Sequence, residues 1–183
     1  QILRELAEGM LEQFDITVIC VVPSYLGTVE EKYKTKMFYK ENINGVAVLR
    51  IRVPEFSKTN TMSRVKNILT YFLGAMIATF KVGKQDYVFS ISQPPILGGL
   101  LGVWGKWMKH AKFIYNIQDF NPEQVMAVNY SKNKLIIGIM MFLDKFSCRQ
   151  SNLIITVGRD LVETVHNRFR GKKVPKIVMI NNW

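Results

Sequence analysis

The stretch Phe113-Ile-Tyr-Asn-Ile-Gln-Asp-Phe-Asn-Pro-Glu123 decides the fold of this chain. Its first part is an apolar run, which is typical of a strand buried in a parallel sheet. Polar and acidic residues follow without a gap, beginning at Gln118 and Asp119. In open α/β sheets, ligands bind in the crevice outside the carboxyl ends of the strands. The pattern therefore predicts a binding mouth at the end of this strand.

Segments typical of strands and of helices alternate on both sides of this stretch. The dipeptide Asn44-Gly45 is typical of a hairpin turn between two strands. Strands separated by helices favour the α/β class, here a Rossmann-like, doubly wound, mostly parallel sheet with flanking helices. We expect residues 1–183 to form one such domain. The predicted strands are 16–22, 37–40, 46–53, 86–91, 113–117, 153–157 and 177–180, and the predicted helices are 1–13, 61–81, 94–109, 132–149 and 158–169.

Composition narrows the class of protein but does not choose a partner. Lys and Arg total 25 against 14 Asp and Glu, a net charge of +11, which favours anionic partners. The mean hydropathy is +0.06, and the longest apolar run, 68–80, is shorter than the roughly 20 residues of a membrane span. Cys20 and Cys148 form neither a disulfide framework nor a zinc ligand set, which favours a reducing compartment.

Five short motifs occur in a fixed order along the chain. They are Gln1-Ile-Leu-Arg-Glu-Leu-Ala-Glu8, Ser92-Gln-Pro-Pro95, Gln118-Asp-Phe-Asn-Pro-Glu123, Ile154-Ile-Thr-Val-Gly158 and Lys176-Ile-Val-Met-Ile-Asn-Asn-Trp183. Together they resemble the amino-terminal half of a family-four retaining glycosyltransferase of the GT-B fold. The branch they resemble builds capsular, O-antigen and related surface polysaccharides on lipid carriers. The last motif resembles the interdomain hinge, near 180–183, and we expect a first strand and a carboxy-terminal lobe to be missing from this chain.

The resemblance implies an activity for the whole enzyme. A sugar would move from a nucleotide-sugar donor to a glycan acceptor, most naturally a lipid-linked one, with retention of configuration and without a metal or other cofactor. The donor would bind mainly to the missing lobe, so this segment alone should be inactive. The enzyme would work in the cytoplasm at the cytoplasmic face of the inner membrane, with peripheral contact to anionic lipid and with no nucleic acid as partner.

The same resemblance assigns roles to residues at the predicted mouth. Asp119 is the candidate catalytic residue, and many family members carry a histidine immediately before this aspartate. Here that position is Gln118, whose amide can still hydrogen-bond sugar hydroxyls. Both acidic residues also have a purely structural interpretation. Asp119 could cap a turn, and Glu123 could stabilise the first turn of a helix through the helix dipole. The candidate acceptor-binding residues are Gln118, Glu123, Ser92, Gln93 and Asn121.

Basic residues elsewhere are candidates for phosphate or membrane contact. Arg159 would lie in the first turn of a helix, which is a favourable place for anions. The basic amphipathic segment 58–84 could lie on an anionic bilayer, and its alternative is a core helix with charged ends. His110 and His166 lack neighbours at metal-ligand spacing, so no metal site is expected. The membrane candidates in this segment are Arg64, Lys66, Lys81 and Lys84.

Two other functions stay open at the level of sequence. The net charge alone would suit a basic α/β nucleic-acid-binding module, although no recognised motif supports one. A Rossmann nucleotide-dependent enzyme would need a cofactor loop upstream of this chain. Gly98, Gly99 and Gly102 do not form its G-x-G-x-x-G fingerprint, and we expect them to serve close packing of a helix on the sheet.

Overall fold

The computed structural model describes residues 2–24, 27–57, 59–120, 134–169 and 175–181. The chain divides into two compact units, Gln1–Gly83 and Lys84–Trp183. The first unit carries a mixed three-stranded sheet, and the second carries a parallel four-stranded sheet.

The first unit is built on the strand order β1-β3-β2. Strand β1 runs parallel to β3, and β2 runs antiparallel to β3. The predicted hairpin is confirmed, because Asn44 and Gly45 turn between β2 and β3 with φ of 51° and 92°. The elements are α1 (Ile2–Gly9), β1 (Thr17–Val21), a 3-10 turn (Glu31–Tyr33), β2 (Phe38–Ile43), β3 (Val46–Ile51) and α2 (Thr61–Lys81).

Helix α2 has the bounds that the sequence predicts, and Asn60 caps its amino end. The side chain of Asn60 accepts a hydrogen bond from the backbone N–H of Ser63, which satisfies one of the open donors of the first turn. The buried face of α2 carries small residues, namely Gly74, Ala75 and Ala78. They let the helix approach its sheet closely, since a Cβ on Gly74 would come within 2.5 Å of Ile51.

The second unit is an all-parallel sheet with the strand order β4-β5-β6-β7. A helix follows each of the first three strands and crosses to the next. This mixed α/β architecture is consistent with the Rossmann-like doubly wound fold predicted from the sequence. The elements are β4 (Tyr87–Ile91), α3 (Leu97–Lys109), β5 (Lys112–Ile117), α4 (Lys134–Gln150), β6 (Leu153–Thr156), α5 (Arg159–Arg168) and β7 (Ile177–Met179).

Strand β5 lies at the centre of the second core. Phe113, Tyr115 and Ile117 alternate along the strand and are almost fully buried. Glycines on α3 let that helix lie against them, since a Cβ at Gly99 would come within 2.8 Å of the Tyr115 hydroxyl and one at Gly102 would overlap the Phe113 ring. The expected packing role of these glycines is therefore confirmed.

The start of α3 differs from the sequence prediction. We expected Pro94 and Pro95 to begin the helix, but the helix begins at Leu97. The two prolines instead form a turn in which the N–H of Leu97 donates to Pro95 O and that of Gly98 to Pro94 O. The residue before the helix, Ile96, has a φ of 65°, which no helix can continue through.

Candidate functional site

One serine hydroxyl ties together the carboxyl ends of β4 and β5. Ser92 follows β4, and its Oγ accepts a hydrogen bond of 3.1 Å from the backbone N–H of Gln118, just beyond β5. The same oxygen lies 3.5 Å from the backbone nitrogen of Asp119. The backbone N–H of Ser92 in turn donates to the carbonyl oxygen of Asn116 at 3.0 Å. The structure therefore brings Ser92, Gln118 and Asp119 together at one edge of the sheet.

Burial separates the roles of these residues. Ser92 is only 2% exposed, and its hydroxyl accepts from the backbone of the neighbouring strand end. It therefore positions the loop that carries Asp119. Gln118 and Asp119 are partly exposed, and the Nε2 of Gln118 donates to Asn116 Oδ1 at 3.1 Å. This bond orients the amide of Gln118 at the end of β5.

The remaining candidates of the mouth divide into two groups. Gln93 is exposed directly after Ser92, so its side chain is accessible at the end of β4. Asn121 and Glu123 lie outside the described residues. The described part of the mouth therefore consists of two strand ends that present a carboxylate and amides, which are groups that hydrogen-bond hydroxyls.

A buried ion pair lies behind the loop that carries Asp119. Asp144 of α4 pairs with Arg168 at the end of α5, and their side chains are 6% and 3% exposed. The phenol of Tyr115 donates a hydrogen bond of 3.1 Å to Asp144 Oδ1. Burial, and then the negative charge of Asp144, raise the pKa of Tyr115, so this phenol stays protonated and keeps donating.

The ion pair reaches the mouth through an aromatic side chain. The guanidinium carbon of Arg168 lies 3.8 Å from the ring centroid of Phe120, the residue after Asp119. Phe120 is 4% exposed and belongs to the hydrophobic core of the second unit. The stacked pair therefore holds Phe120, the residue after Asp119, as Ser92 holds the backbone of Gln118 before it.

Sequence reasoning missed this group of residues. The one available signal was an acidic residue at the end of an apolar segment, because Asp144 directly follows the run Leu135–Leu143. An acidic residue in such a run requires a partner when it is buried. The identity of the partner could not be read, because Arg168 lies on another helix.

A buried hydroxyl lies at the end of the next strand. Thr156 is fully buried at the carboxyl end of β6, opposite Ile117 in the register with β5. Its Oγ1 has no hydrogen-bond partner within the described part of the chain. Buried polar atoms are usually paired, so this one adds an unusual polar position to the edge of the sheet that carries the mouth.

The surroundings of Arg159 are mixed in charge. Arg159 is exposed in the first turn of α5, as the sequence predicts. Asp160 shares this turn, and its Oδ1 lies 2.5 Å from where a Cβ on Gly158 would stand. A carboxylate in this place is itself favourable to the helix dipole. Phosphate contact at Arg159 stays a prediction.

The other basic candidates are solvent-exposed. Arg64, Lys66 and Lys81 project from α2 in the first unit, and Lys84 is exposed at the start of the second. Their membrane role stays a prediction, and none of them is one of the mouth residues.

The described residues hold no group of three or more His, Cys, Asp or Glu side chains that could bind a metal ion. Among the same residues, no helix combines the length and the apolar character needed to cross a bilayer. Comparison of the chain with models of known protein families finds no match, and comparison with curated proteins finds none.

Proposed function

We propose that this chain is the acceptor-binding lobe of a retaining glycosyltransferase that acts in surface polysaccharide synthesis. The observation that supports the proposal most directly is the hydrogen bond from the Gln118 backbone to Ser92 Oγ. It joins two neighbouring strand ends and holds Asp119 at the edge of a parallel sheet where α/β proteins bind ligands. The motif resemblance suggests the reaction, and the polar groups at these strand ends support the proposal that the acceptor binds there.

In the proposed reaction the acceptor alcohol replaces the nucleotide diphosphate at the anomeric carbon. The bond between that carbon and the leaving phosphate oxygen breaks, and a new bond to the acceptor oxygen forms on the same face. The hydroxyl proton passes to the leaving phosphate. Asp119 accepts a hydrogen bond from the acceptor, and the Gln118 amide adds a second polar contact. Holding an alcohol in a reactive geometry in this way can contribute a large part of a rate enhancement.

The proposal also places the enzyme at the cytoplasmic face of the inner membrane, where a lipid-linked glycan acceptor would be presented. The nucleotide-sugar donor is bound mainly by a second lobe. The net charge of +11 supports this location, because the cytoplasmic leaflet carries anionic lipids that attract basic proteins.

The substitution Asp119→Asn in the full-length enzyme tests the proposal. It removes the charge of the acceptor contact with little change in shape. A hydrogen bond to a charged group is worth about 1.5–3 kcal/mol, so kcat/KM for the acceptor should fall roughly 10- to 100-fold. Binding of the nucleotide sugar, measured by calorimetry, should persist because the donor is held by the other lobe.

Asp86→Asn is the matched control. Asp86 is exposed just before β4, at the amino end of the strand whose carboxyl end carries Ser92. Transfer by this variant should equal that of the wild type. Transfer that is equally unaffected by Asp119→Asn would remove Asp119 from the site, and a loss of donor binding in that variant would assign it to the donor.

A further inference from the structure

The outward face of α2 is an exposed apolar surface. Its large side chains recur every three or four residues and therefore share one side of the helix. Met62 is 75% exposed, Leu73 58% and Phe80 64%, and the opposite side carries the small buried residues that contact the sheet. We call this surface the α2 stripe. It consists of Met62, Val65, Leu69, Leu73, Ile77 and Phe80.

All the charged residues of α2 are positive. The helix contains Arg64, Lys66 and Lys81 and no acidic residue. An exposed apolar stripe on a helix whose only charges are positive is the pattern of a helix that lies in the interface of an anionic bilayer. A protein partner would need a matching acidic rim, whereas an anionic lipid surface supplies negative charge along the whole helix.

A cavity of about 500 Å³ opens in the first unit beside the stripe. Lys66 and Thr70 of α2 line it, and Leu69 and Leu73 follow them by three positions on the helix. Arg52, which follows β3, and Lys34, which follows the 3-10 turn, also line the cavity. The apolar stripe and a basic concavity therefore share one helix.

The cations of this cavity exceed its anions. Lys34 is bound by Glu31 at 2.8 Å and Glu55 at 3.3 Å, so its charge is largely compensated. Arg52 donates to the backbone oxygen of Lys34, and within the described part of the chain neither Arg52 nor Lys66 has a carboxylate partner. The side chains of Arg52 and Lys66 can therefore bind an anion in this cavity.

We propose that the α2 stripe lies at the acyl boundary of an anionic bilayer and that Lys66 and Arg52 bind a lipid phosphate in the adjacent cavity. The cavity and the stripe share α2, and in a membrane the phosphate groups lie just outside the acyl boundary. The inference rests on the proposed function only in explaining why the protein visits a membrane. Vesicle binding measures it without any sugar transfer.

The test uses the full-length protein and flotation with two kinds of vesicle, phosphatidylcholine alone and phosphatidylcholine with phosphatidylglycerol. Wild type should float only with the anionic vesicles, and less at high salt. A basic residue near the surface contributes about fivefold in partitioning, so Arg52→Gln with Lys66→Gln should reduce it roughly 25-fold. Leu69→Ser with Leu73→Ser should also release the protein.

The charge-matched control is Lys112→Gln with Lys176→Gln, at exposed positions in the second unit, the first residue of β5 and the residue before β7. It changes net charge equally and should partition as the wild type does. If the control lost as much vesicle binding as the cavity variant, the loss would reflect net charge and not the cavity, and this would overturn the assignment. A wild type that does not float with anionic vesicles at low salt would overturn it as well. So would a stripe variant that still floats with these vesicles and has lost only self-association. Transfer to a water-soluble acceptor analogue should survive in the cavity variant, and this separates failure here from failure of the proposed function.

Discussion

Asp144 and Arg168 place opposite charges in the interior of the second unit. A buried pair of this kind gains little over apolar side chains of similar volume, but removal of one partner leaves an uncompensated charge. Tyr115 donates to Asp144, and Phe120 stacks on Arg168, so the pair joins β5, α4, α5 and Phe120, the residue after Asp119. Its disruption should therefore affect stability and the mouth together.

We expect Arg168→Met to lower the free energy of unfolding by about 3–5 kcal/mol, because Asp144 would stay buried without its partner. Urea denaturation followed by tryptophan fluorescence measures this loss, since Trp104 and Trp107 lie on α3 of the same unit. The double variant Asp144→Leu with Arg168→Met should recover part of the loss, because no charge is then buried.

Arg4→Met is the comparison for an exposed pair. Arg4 and Glu8 also form an ion pair, at 2.7 Å, but their side chains are 62% and 28% exposed. Exposed pairs contribute little to stability, because solvent screens their attraction. Equal losses for Arg4→Met and Arg168→Met would show that the buried pair has no special structural role.

The residues of the mouth were predictable to different degrees. Gln118 and Asp119 could be placed because the end of an apolar strand is visible in a single sequence. The role of Ser92 could not, because it depends on which strand lies beside β4 and in which register. The partners of Asp144 come from two other elements, β5 and α5, and such contacts leave no local pattern.

At the scale of elements, the contact between α3 and β5 positions the mouth. Helix α3 lies close to the sheet because it carries glycine where a side chain would meet Phe113 or Tyr115. This approach fixes the carboxyl end of β5 relative to the turn after β4. The same elements therefore hold Ser92 near the backbone of Gln118.

We expect Gly102→Ala to destabilise the second unit by about 1–3 kcal/mol, because the added methyl group would overlap the Phe113 ring. Gly138→Ala on α4 provides the opposite case, since nothing lies within 4 Å of its added Cβ. It should stabilise by up to about 1 kcal/mol through helix propensity. Chemical denaturation of both variants checks the pair, and stabilisation by Gly102→Ala would contradict the close packing.

Most elements were predictable from periodicity, and their ends were less so. The hairpin of β2 and β3 and both ends of α2 follow from local signals that tertiary contacts do not override. The start of α3 was misplaced because two prolines suit either a first helical turn or a separate turn. The positive φ of Ile96, which decides between them, follows from packing around a buried side chain.

At the scale of the whole molecule, the parallel sheet and the positive charge have separate consequences. The sheet gathers the polar ends of β4 and β5 at one edge, where we propose that the acceptor alcohol binds. The net charge of +11 and the α2 stripe are the features on which we base the proposed contact with an anionic bilayer. The fold class was predictable from the alternation of elements, whereas the exposure of the stripe was not, because an apolar helix face can equally be buried.

The central claim is that the edge formed by β4 and β5 holds the acceptor. A structure of the full-length enzyme with its acceptor glycan bound tests it most directly. We expect an acceptor hydroxyl to lie at hydrogen-bond distance, about 2.5–3.0 Å, from a carboxylate oxygen of Asp119. An acceptor bound with no atom near Asp119 or Gln118 would contradict the claim.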